Sequence, residues 1–213
     1  MVNIIQKKKT RQPRRLKTGQ YLFCALCIFM ICGCNRFEPY NVVLESGIPD
    51  KKYMIFDKSD QRLYLVEQDS IVSHYPAVYG VRRGRKQKQG DKKTPEGQYW
   101  VCTFNPKSKS HYFMGLSYPN LDDAKNGLAS GLISKAEYRQ IERALITGAR
   151  PPWNTALGGA VGIHGTRYGQ TVCSWFLPRP LYNWTAGCIA ISNGDIDDLR
   201  KHIAYRTKIV IRK

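Results

Sequence analysis

The chain has 213 residues, of which 42% are hydrophobic and 23% are charged, with 34 Lys and Arg against 16 Asp and Glu and a net charge of +18. This length suits one ordinary domain with a short appendage and is sufficient to bury a core without disulfides. The composition excludes a wholly disordered chain and a polytopic membrane protein. The charge alone indicates nucleic-acid binding, but its distribution along the chain argues against that.

The positive charge is concentrated at the N-terminus. The first 20 residues hold seven basic residues and no Asp or Glu, and an uncharged apolar run follows at residues 21–31. A basic segment followed by about a dozen apolar residues is typical of a secretory signal, and this run is too short for a membrane span of about 20 residues. The remaining chain has 27 basic and 16 acidic residues, a net charge of +11, which gives little support to a nucleic-acid partner.

The apolar run ends in Ile-Cys-Gly-Cys at residues 31–34, which resembles a bacterial lipobox. The resemblance implies cleavage before Cys34 and lipidation of its sulfur. We therefore expect a signal peptide with a lipobox at residues 1–34, a tether at 35–51 and one folded domain at 52–213. A retained N-terminal signal anchor is the alternative. In either case we expect an exported domain, tethered to a membrane on its periplasmic side.

Three cysteines lie beyond the predicted leader: Cys102, Cys173 and Cys188. An odd number of cysteines in an exported protein indicates at least one free thiol. A disulfide between Cys102 and Cys173 and two unpaired buried thiols are both compatible with an oxidising compartment.

The first part of the domain is predicted to be a β-meander. Residues 53–56, 62–66 and 71–78 are rich in β-branched and aromatic side chains, and turn residues divide them. Residues 80–93 hold seven Lys or Arg, so we interpret them as an exposed, solvated loop rather than a core strand. Contact of the basic cluster at 82–93 with an anionic wall polymer or lipid headgroups is the alternative. Strand character returns at residues 98–104.

Helical signals dominate the middle of the chain. Asn120 can cap a first short helix, and Ser134 with Glu137 has the form of a capping box. Gly148 and the Pro-Pro pair that follows it end the second helix.

The last part of the chain is predicted to contain a strand, a helix and a final strand. Residues 158–163 are small and apolar and are predicted to form a strand, Asn193 can cap a last helix, and residues 208–211 form a final strand. The predicted fold class is mostly β (α+β), one domain with a helical insertion.

Three short motifs are candidates for chemistry: Ile-His-Gly-Thr at residues 163–166, Thr-Ala-Gly-Cys-Ile-Ala at 185–190 and Thr-Pro-Glu-Gly at 94–97. Taken singly, they are compatible with a structural histidine, a buried cysteine and an ordinary turn. Their order along one exported domain makes the set more specific than any of its members.

Together the motifs resemble the catalytic domain of L,D-transpeptidases, the YkuD-like family of cell-wall enzymes. The resemblance extends over residues 52–213. It implies an L,D-transpeptidase-like β-sandwich or barrel with a helical insertion and a helix after the nucleophile. It also implies cysteine chemistry with no cofactor and no metal, and the four scattered histidines lack the spacing of metal ligands.

The expected chemistry starts from the properties of a thiol. With a pKa near 8.5 it is mostly protonated at neutral pH, so it needs a neighbouring base to be an efficient nucleophile. We predict Cys188 as nucleophile, His164 as base and then acid, and the backbone N–H groups of Gly187 and Cys188 as oxyanion donors. By resemblance, Cys188 attacks a meso-diaminopimelate carbonyl of a peptidoglycan stem peptide, expels D-alanine and passes the acyl group to an acceptor amine.

Residues around the motifs are candidates for contacts with the stem peptide: Thr185, Trp184, Gly165 and Trp175. Four aromatic residues are equally compatible with a place in the cleft or in the core: Trp153, Trp175, Tyr182 and Trp184. Residues 173–181 are predicted to form a lid over the cleft. The expected partners are peptidoglycan stem peptides and a membrane, without nucleic acid.

Two positions depart from the family pattern. Many members have a second His at the position of Ala186 and an Arg or Asn at that of Ala190. Loss of these polar groups leaves two rival functions open. One is an L,D-endopeptidase, in which water replaces the acceptor amine, and the other is a non-catalytic wall-binding module.

Overall fold

The computed structural model of the protein describes residues 51–167 and 182–213. These residues form eight strands and three helices. The strands are β1 (Lys52–Asp57), β2 (Arg62–Glu67), β3 (Ser70–Pro76), β4 (Gly97–Ser108), β5 (His111–Leu116), β6 (Gly162–His164), β7 (Ile189–Ala190) and β8 (Lys208–Arg212). The helices are α1 (Leu121–Ala129), α2 (Lys135–Thr147) and α3 (Asn193–Leu199).

The strands form one sheet in the order β3-β2-β1-β8-β4-β5-β6-β7. The predicted meander is confirmed, because β1 pairs antiparallel with β2 and β2 with β3. The C-terminal β8 lies parallel to β1 and antiparallel to the first residues of β4. The mostly β class with a helical insertion and a helix after Cys188 is therefore confirmed.

The sheet is open, so of the expected sandwich or barrel the barrel alternative is wrong. Its edge strands are β3 and β7, and two isolated bridges, Val78 with Ala190 and Gly80 with Thr185, join the segment after β3 to the segment around β7. Closure needs a continuous ladder of hydrogen bonds. Since β7 has two residues, it is too short to supply one.

Three strands differ most from the sequence prediction: β6 is shorter than predicted, and β5 and β7 were not predicted. The stretch predicted as a strand at residues 158–163 is a strand only at its end, as β6, because Gly158 and Ala160 have φ values of +80° and +53°. Strand β5 was not predicted. It pairs with both β4 and β6, and it therefore connects the meander to the strands that carry the motifs.

The main core is formed by apolar side chains from all eight described strands and from α3. They include Met54, Phe56, Leu65, Tyr99, Met114, Ile163, Leu199 and Ile209. Complete burial of each such side chain contributes about 1.5–3 kcal/mol. The helical insertion has a smaller cluster of its own, formed by Ala124, Ile133, Ile141 and Leu157.

The helix boundaries follow from local capping. Asn120 and Ser134 each accept a hydrogen bond from the backbone N–H three residues later, in complete capping boxes, as predicted. Gly148 ends α2 with φ +72°. The prediction for α3 is wrong by one residue, because the Ser192 side chain accepts the N–H of Asp195 at 3.1 Å and acts as the N-cap.

Several predictions fall outside the described residues. The signal peptide, the lipobox Cys34 and nearly all of the tether lie in residues 1–50, and Cys173, Trp175 and the lid lie in residues 168–181. Cys102 in β4 is buried with a free thiol, and burial raises its pKa to about 11. Within residues 51–167 and 182–213, no helix combines the length and apolar character required to cross a membrane.

Candidate active site

Strands β6 and β7 bring the two predicted catalytic residues into one region. The strands pair in parallel, with Ile163 opposite Ile189 and His164 opposite Ala190. His164 is the last residue of β6, and Cys188 immediately precedes β7. Both side chains are half-buried. The structure therefore places the imidazole and the thiol on adjoining strands at one edge of the sheet.

The Cys188 loop, residues 185–188, is held by its own threonine. The Thr185 hydroxyl donates to the Cys188 carbonyl at 2.6 Å and accepts the Gly187 N–H at 3.1 Å. Thr185 is buried, and both of these hydrogen bonds lie inside the loop, so the Thr185 hydroxyl positions the loop. The substrate contact of Thr185 and the oxyanion role of the Gly187 and Cys188 N–H groups stay predictions.

Gly187 is required by the backbone. Its φ is +135°, and a Cβ at this position would lie 2.7 Å from the Lys93 carbonyl oxygen. A side chain would therefore combine an unfavourable conformation with a backbone collision. The Cys188 loop thus lies directly on the chain that enters the Thr-Pro-Glu-Gly turn.

Thr94 of that turn ties the Cys188 loop to the rest of the domain. Its fully buried hydroxyl donates to the Gly187 carbonyl at 2.9 Å and accepts the Gly80 N–H at 2.9 Å. The Thr94 carbonyl in turn accepts the Nζ of Lys58 at 2.7 Å, and the same ammonium contacts Glu96 at 2.8 Å. Sequence reasoning missed Lys58, because a lysine in a turn between two strands carries no signal that it is buried.

The basic loop, residues 80–93, was predicted to be solvated throughout. The structure shows that part of it is buried. Lys86 is 5% exposed and Asp91 is 8% exposed, with Lys86 Nζ 3.1 Å from Asp91 Oδ1. A lysine of this kind is buried only when its charge is paired and hydrogen-bonded. The pairing partner lies five residues further along the same loop, so the loop contains a small polar interior of its own.

The His164 turn, residues 164–166, fixes the tautomer of the imidazole. Nδ1 of His164 lies 2.6 Å from the Gly165 carbonyl oxygen. A carbonyl only accepts, so Nδ1 carries the proton and the neutral ring has its lone pair at Nε2. Gly165 is buried and its carbonyl orients His164, and its predicted contact with substrate stays a prediction.

Asn193, the first residue of α3, holds the same turn from outside. Its Oδ1 accepts the Thr166 N–H at 2.7 Å. A Cβ on Gly165 would lie 2.4 Å from the same oxygen, which explains glycine after the histidine. Sequence reasoning assigned Asn193 a capping role and missed this contact, which joins the turn to a helix that begins 27 residues later.

Burial shifts both ionisable groups toward their neutral forms. It raises the pKa of the Cys188 thiol above its ordinary value, an effect partly offset by the Gly162 N–H and the charge of Lys86. It lowers the pKa of His164, with the Gly165 carbonyl opposing. At neutral pH the pair is therefore a thiol and a neutral imidazole, the starting state for general-base activation rather than a preformed ion pair.

The candidate aromatic residues have different environments. The Trp184 ring centroid lies 6.1 Å from that of His164, and its ring packs against Val78 and Ala190. Trp153 packs closely on Gly159 and has the Arg150 guanidinium 4.6 Å from its ring centroid. Tyr182 is 81% exposed. Of these residues, Trp184 is the one whose ring neighbours the imidazole.

A cavity of about 380 Å³ lies between the basic loop and α1, where Arg85 to Lys88 face Asp123, Asn126 and Ser130. Neither Cys188 nor His164 lines it. Within the described ranges, no group of three or more His, Cys, Asp or Glu is arranged to hold a metal ion.

A model of the YkuD family, the L,D-transpeptidase catalytic domain, matches residues 51–211. The chain belongs to this family.

The domain is also similar to several solved structures. It is 20% identical to the helical cell shape determining protein Pgp2 from Campylobacter jejuni, with a TM-score of 0.50, and 21% identical to Bd1075 from Bdellovibrio bacteriovorus, with a TM-score of 0.49. Both matches cover 76% of this chain and 48% of the other. An L,D-transpeptidase from Xylanimonas cellulosilytica is 15% identical, with a TM-score of 0.45 over 76% of this chain and 61% of the other.

The chain spans about half the length of the first two of these structures. At 20% identity the likeness to Pgp2 shows a shared fold and nothing further. No curated protein matches the chain significantly.

The two departures from the family pattern lie in different environments. Ala186 is exposed beside the nucleophile, whereas Ala190 is fully buried against Val78 and Trp184. An Arg or Asn at position 190 would place a polar group inside this apolar contact. The site of this L,D-transpeptidase domain is therefore less polar around β7 than the family pattern implies.

Proposed function

We propose that the domain is a peptidoglycan L,D-transpeptidase, with Cys188 as nucleophile and His164 as general base. The observation that carries the proposal is the arrangement of the two residues on adjoining parallel strands, with the lone pair of His164 at Nε2. Membership of the family supports the substrate class, stem peptides that contain meso-diaminopimelate.

In the proposed reaction, Nε2 of His164 takes the proton of the Cys188 thiol as Sγ attacks the diaminopimelate carbonyl carbon. The Cys188 N–H stabilises the resulting oxyanion. The intermediate collapses as the carbon–nitrogen bond to D-alanine breaks, and His164 returns its proton to the leaving amine, which leaves a thioester. An acceptor amine then attacks the thioester carbon and loses a proton to His164. The carbon–sulfur bond breaks, and His164 returns that proton to Sγ, which restores the thiol.

Hydrolysis is a second candidate, in which water takes the place of the acceptor amine. The observation that favours it is the apolar character of position 190 and the small Ala186 next to the nucleophile. Without polar groups at these positions, fewer side chains are available to hold a second peptide. The domain would then be an L,D-endopeptidase on diaminopimelate-linked bonds.

Muropeptide analysis of cells that overproduce the full chain distinguishes these reactions. A transpeptidase raises the amount of diaminopimelate–diaminopimelate crosslinks, whereas an endopeptidase lowers it or releases a wall-anchored lipoprotein. Cys188→Ala should abolish either change, and Cys102→Ala, which removes a buried thiol outside the site, should retain it. If the muropeptides do not change for any variant, the domain is a non-catalytic wall-binding module and the proposed activity is wrong.

We also propose that the protein is exported and tethered to a membrane through lipid on Cys34. The support is the basic leader, the apolar run and the Ile-Cys-Gly-Cys sequence at residues 31–34. Labelling with radioactive palmitate should mark the wild type and the matched control Cys32→Ala but not Cys34→Ala. Label on Cys34→Ala would exclude this anchor. A reporter fused after residue 40 that stays cytoplasmic would exclude export and would revive a nucleic-acid partner.

A further inference from the structure

Two elements hold the backbone of the His164 turn. The Gly165 N–H donates to the Tyr112 carbonyl in β5 at 3.2 Å, and the Thr166 N–H donates to Oδ1 of Asn193 in α3 at 2.7 Å. The turn therefore lies between a strand and a helix that are distant from each other in the sequence.

The contact with α3 also sets the direction of the carbonyl that orients His164. The Gly165 carbonyl and the Thr166 N–H belong to the same planar peptide unit. Because Asn193 holds this N–H, it fixes the plane of the carbonyl that accepts Nδ1 of His164. The tautomer of His164 therefore depends on the position of α3 relative to β5.

A side-chain hydrogen bond joins α3 to β5 beside the turn. Nε2 of His111, the first residue of β5, lies 2.8 Å from Oδ2 of Asp197. A carboxylate only accepts, so Nε2 carries the proton and donates. Asp197 follows Asn193 by four residues, which places both on the same face of α3. His111 is also close to the turn, since a Cβ on Gly165 would lie 3.0 Å from the His111 Cβ.

Arg200 binds the other oxygen of the same carboxylate. Its Nε lies 3.1 Å from Oδ1 of Asp197, and its guanidinium lies 5.2 Å from the ring centroid of Tyr112. Tyr112 is the residue whose carbonyl accepts the Gly165 N–H. Asp197 and Arg200 thus both bring α3 against the part of β5 that holds the turn.

The backbone of His111 gives a second reason to assign its imidazole a role. Its φ is +68°, in the left-handed region that glycine adopts readily and other residues adopt rarely. For the hairpin alone, Gly or Asn would be the ordinary residue at such a position. Stability is not an adequate reason either, because His111 and Asp197 are each 40% exposed and exposed pairs contribute little.

We propose that His111 and Asp197 are positioning residues, whose hydrogen bond holds α3 against β5 and so keeps the Gly165 carbonyl on Nδ1 of His164. The lone pair of His164 then stays at Nε2, the nitrogen proposed to take the thiol proton. The inference rests on the proposed role of His164.

The test reads the tautomer of His164 directly. The full chain is labelled with ¹⁵N-histidine in detergent solution. The ring nitrogens are observed by long-range ¹H–¹⁵N correlation at pH 8, where an ordinary imidazole is neutral. The chain has four histidines, and His164→Gln identifies the signals of His164. The wild type should carry the proton on Nδ1.

Asp197→Ala and His111→Asn should each lower the ratio of the Nδ1–H to the Nε2–H tautomer about fivefold, the change expected for one lost hydrogen bond. Asparagine tolerates a positive φ, but its side chain is shorter than that of histidine. Asp197→Asn retains an acceptor and should keep the wild-type ratio. Asp198→Ala is the matched control on the next residue of α3, whose carboxylate accepts the Tyr75 hydroxyl at 2.9 Å, and it should also keep that ratio.

A ratio that stays at the wild-type value in Asp197→Ala or His111→Asn, or that changes equally in Asp198→Ala, would overturn the proposal. So would a wild-type His164 with its proton on Nε2. The tautomer is measured without any reaction. A lowered ratio in the two variants of a chain whose wild type forms no acyl-enzyme would therefore count against the proposed function and not against the role of His111 and Asp197.

Discussion

The two halves of the candidate site are tied to the rest of the domain over different distances along the chain. Besides its own Thr185, the Cys188 loop is held by Thr94, which donates to the Gly187 carbonyl across 93 positions. The His164 turn is held mainly by its own next residue, whose carbonyl accepts Nδ1, and by Asn193 from α3. The surroundings differ as well, with the Lys93 carbonyl close to Gly187 in the Cys188 loop and the Trp184 ring beside the imidazole.

This difference separates the roles of the surrounding residues. Changes in the basic loop should alter the position and reactivity of the thiol, whereas changes near the His164 turn should alter the base. A single substitution that changes the reactivity of both the thiol and the imidazole would indicate that it destabilises the whole domain.

The largest effect is expected for His164→Gln, which removes the base and leaves the Cys188 loop intact. Loss of a positioned general base lowers a rate by about 10²- to 10⁴-fold. We expect a loss of that size in the rate of acyl-enzyme formation, measured by rapid-quench mass spectrometry. His202→Gln, at a partly exposed histidine 3.8 Å from Glu67, should leave the rate unchanged. Equal losses in both variants would contradict the assignment.

Gly187→Ala should be the most harmful change in the Cys188 loop, because its Cβ would meet the Lys93 carbonyl at 2.7 Å. We expect acylation to fall by about 100-fold, in line with the cost of a misplacement of about 1 Å in a reacting group. Gly90→Ala is the matched control, since Gly90 also has a positive φ but no atom within 4 Å of the added Cβ. If both variants acylate equally fast, contact with Lys93 does not position the nucleophile.

Thr94→Val tests the two hydrogen bonds through which the Thr94 hydroxyl connects Gly187 of the Cys188 loop to Gly80. It leaves the buried Gly80 N–H and Gly187 carbonyl without a partner, so the free energy of unfolding should fall by about 2–4 kcal/mol. Urea denaturation measures this change. Thr155→Val provides the comparison, because the Thr155 hydroxyl is buried with no hydrogen-bond partner in the described part of the chain and its loss should be nearly neutral. If the two variants have the same free energy of unfolding, the hydrogen bonds of Thr94 do not stabilise the domain.

The smallest expected effect concerns pH. Burial lowers the pKa of His164, so the base stays neutral, and the acid limb of the acylation rate should lie below about pH 6.5. Because the pKa of His164 is lower in the folded protein, the unfolded chain binds the proton more readily below about pH 6.5. The free energy of unfolding should therefore decrease as the pH falls below this value. Asn193→Ala frees the His164 turn and should move the acid limb upward. An acid limb above pH 6.5 in the wild type would contradict the burial of the base.

Local features of the fold were predictable from the sequence. The alternating apolar residues of β1 and β2 identify the meander, and Asn120 and Ser134 identify the helix starts because capping depends on residues three positions apart. The order of the three motifs was sufficient to identify the family. Pairing between strands that are distant in the sequence was harder to predict. Strand β5 is an example, because its six residues form a strand through pairing with β4 and β6.

The residues proposed to react could be predicted from the sequence, but the residues that hold them in place could not. His164 and Cys188 follow from their motifs, but the partners of Thr185 and Gly187 depend on how one short loop folds back on itself. The burial of Lys86 contradicts the ordinary expectation for a basic stretch. It depends on a carboxylate and a tyrosine ring that only the folded chain brings together.

The central claim, that Cys188 is an acylated nucleophile, is tested most directly by intact mass spectrometry of the protein after incubation with a carbapenem. We predict one covalent adduct on the wild type and on Cys102→Ala, and none on Cys188→Ala. An adduct that persists on Cys188→Ala, or a wild-type protein that acquires none, would contradict the claim.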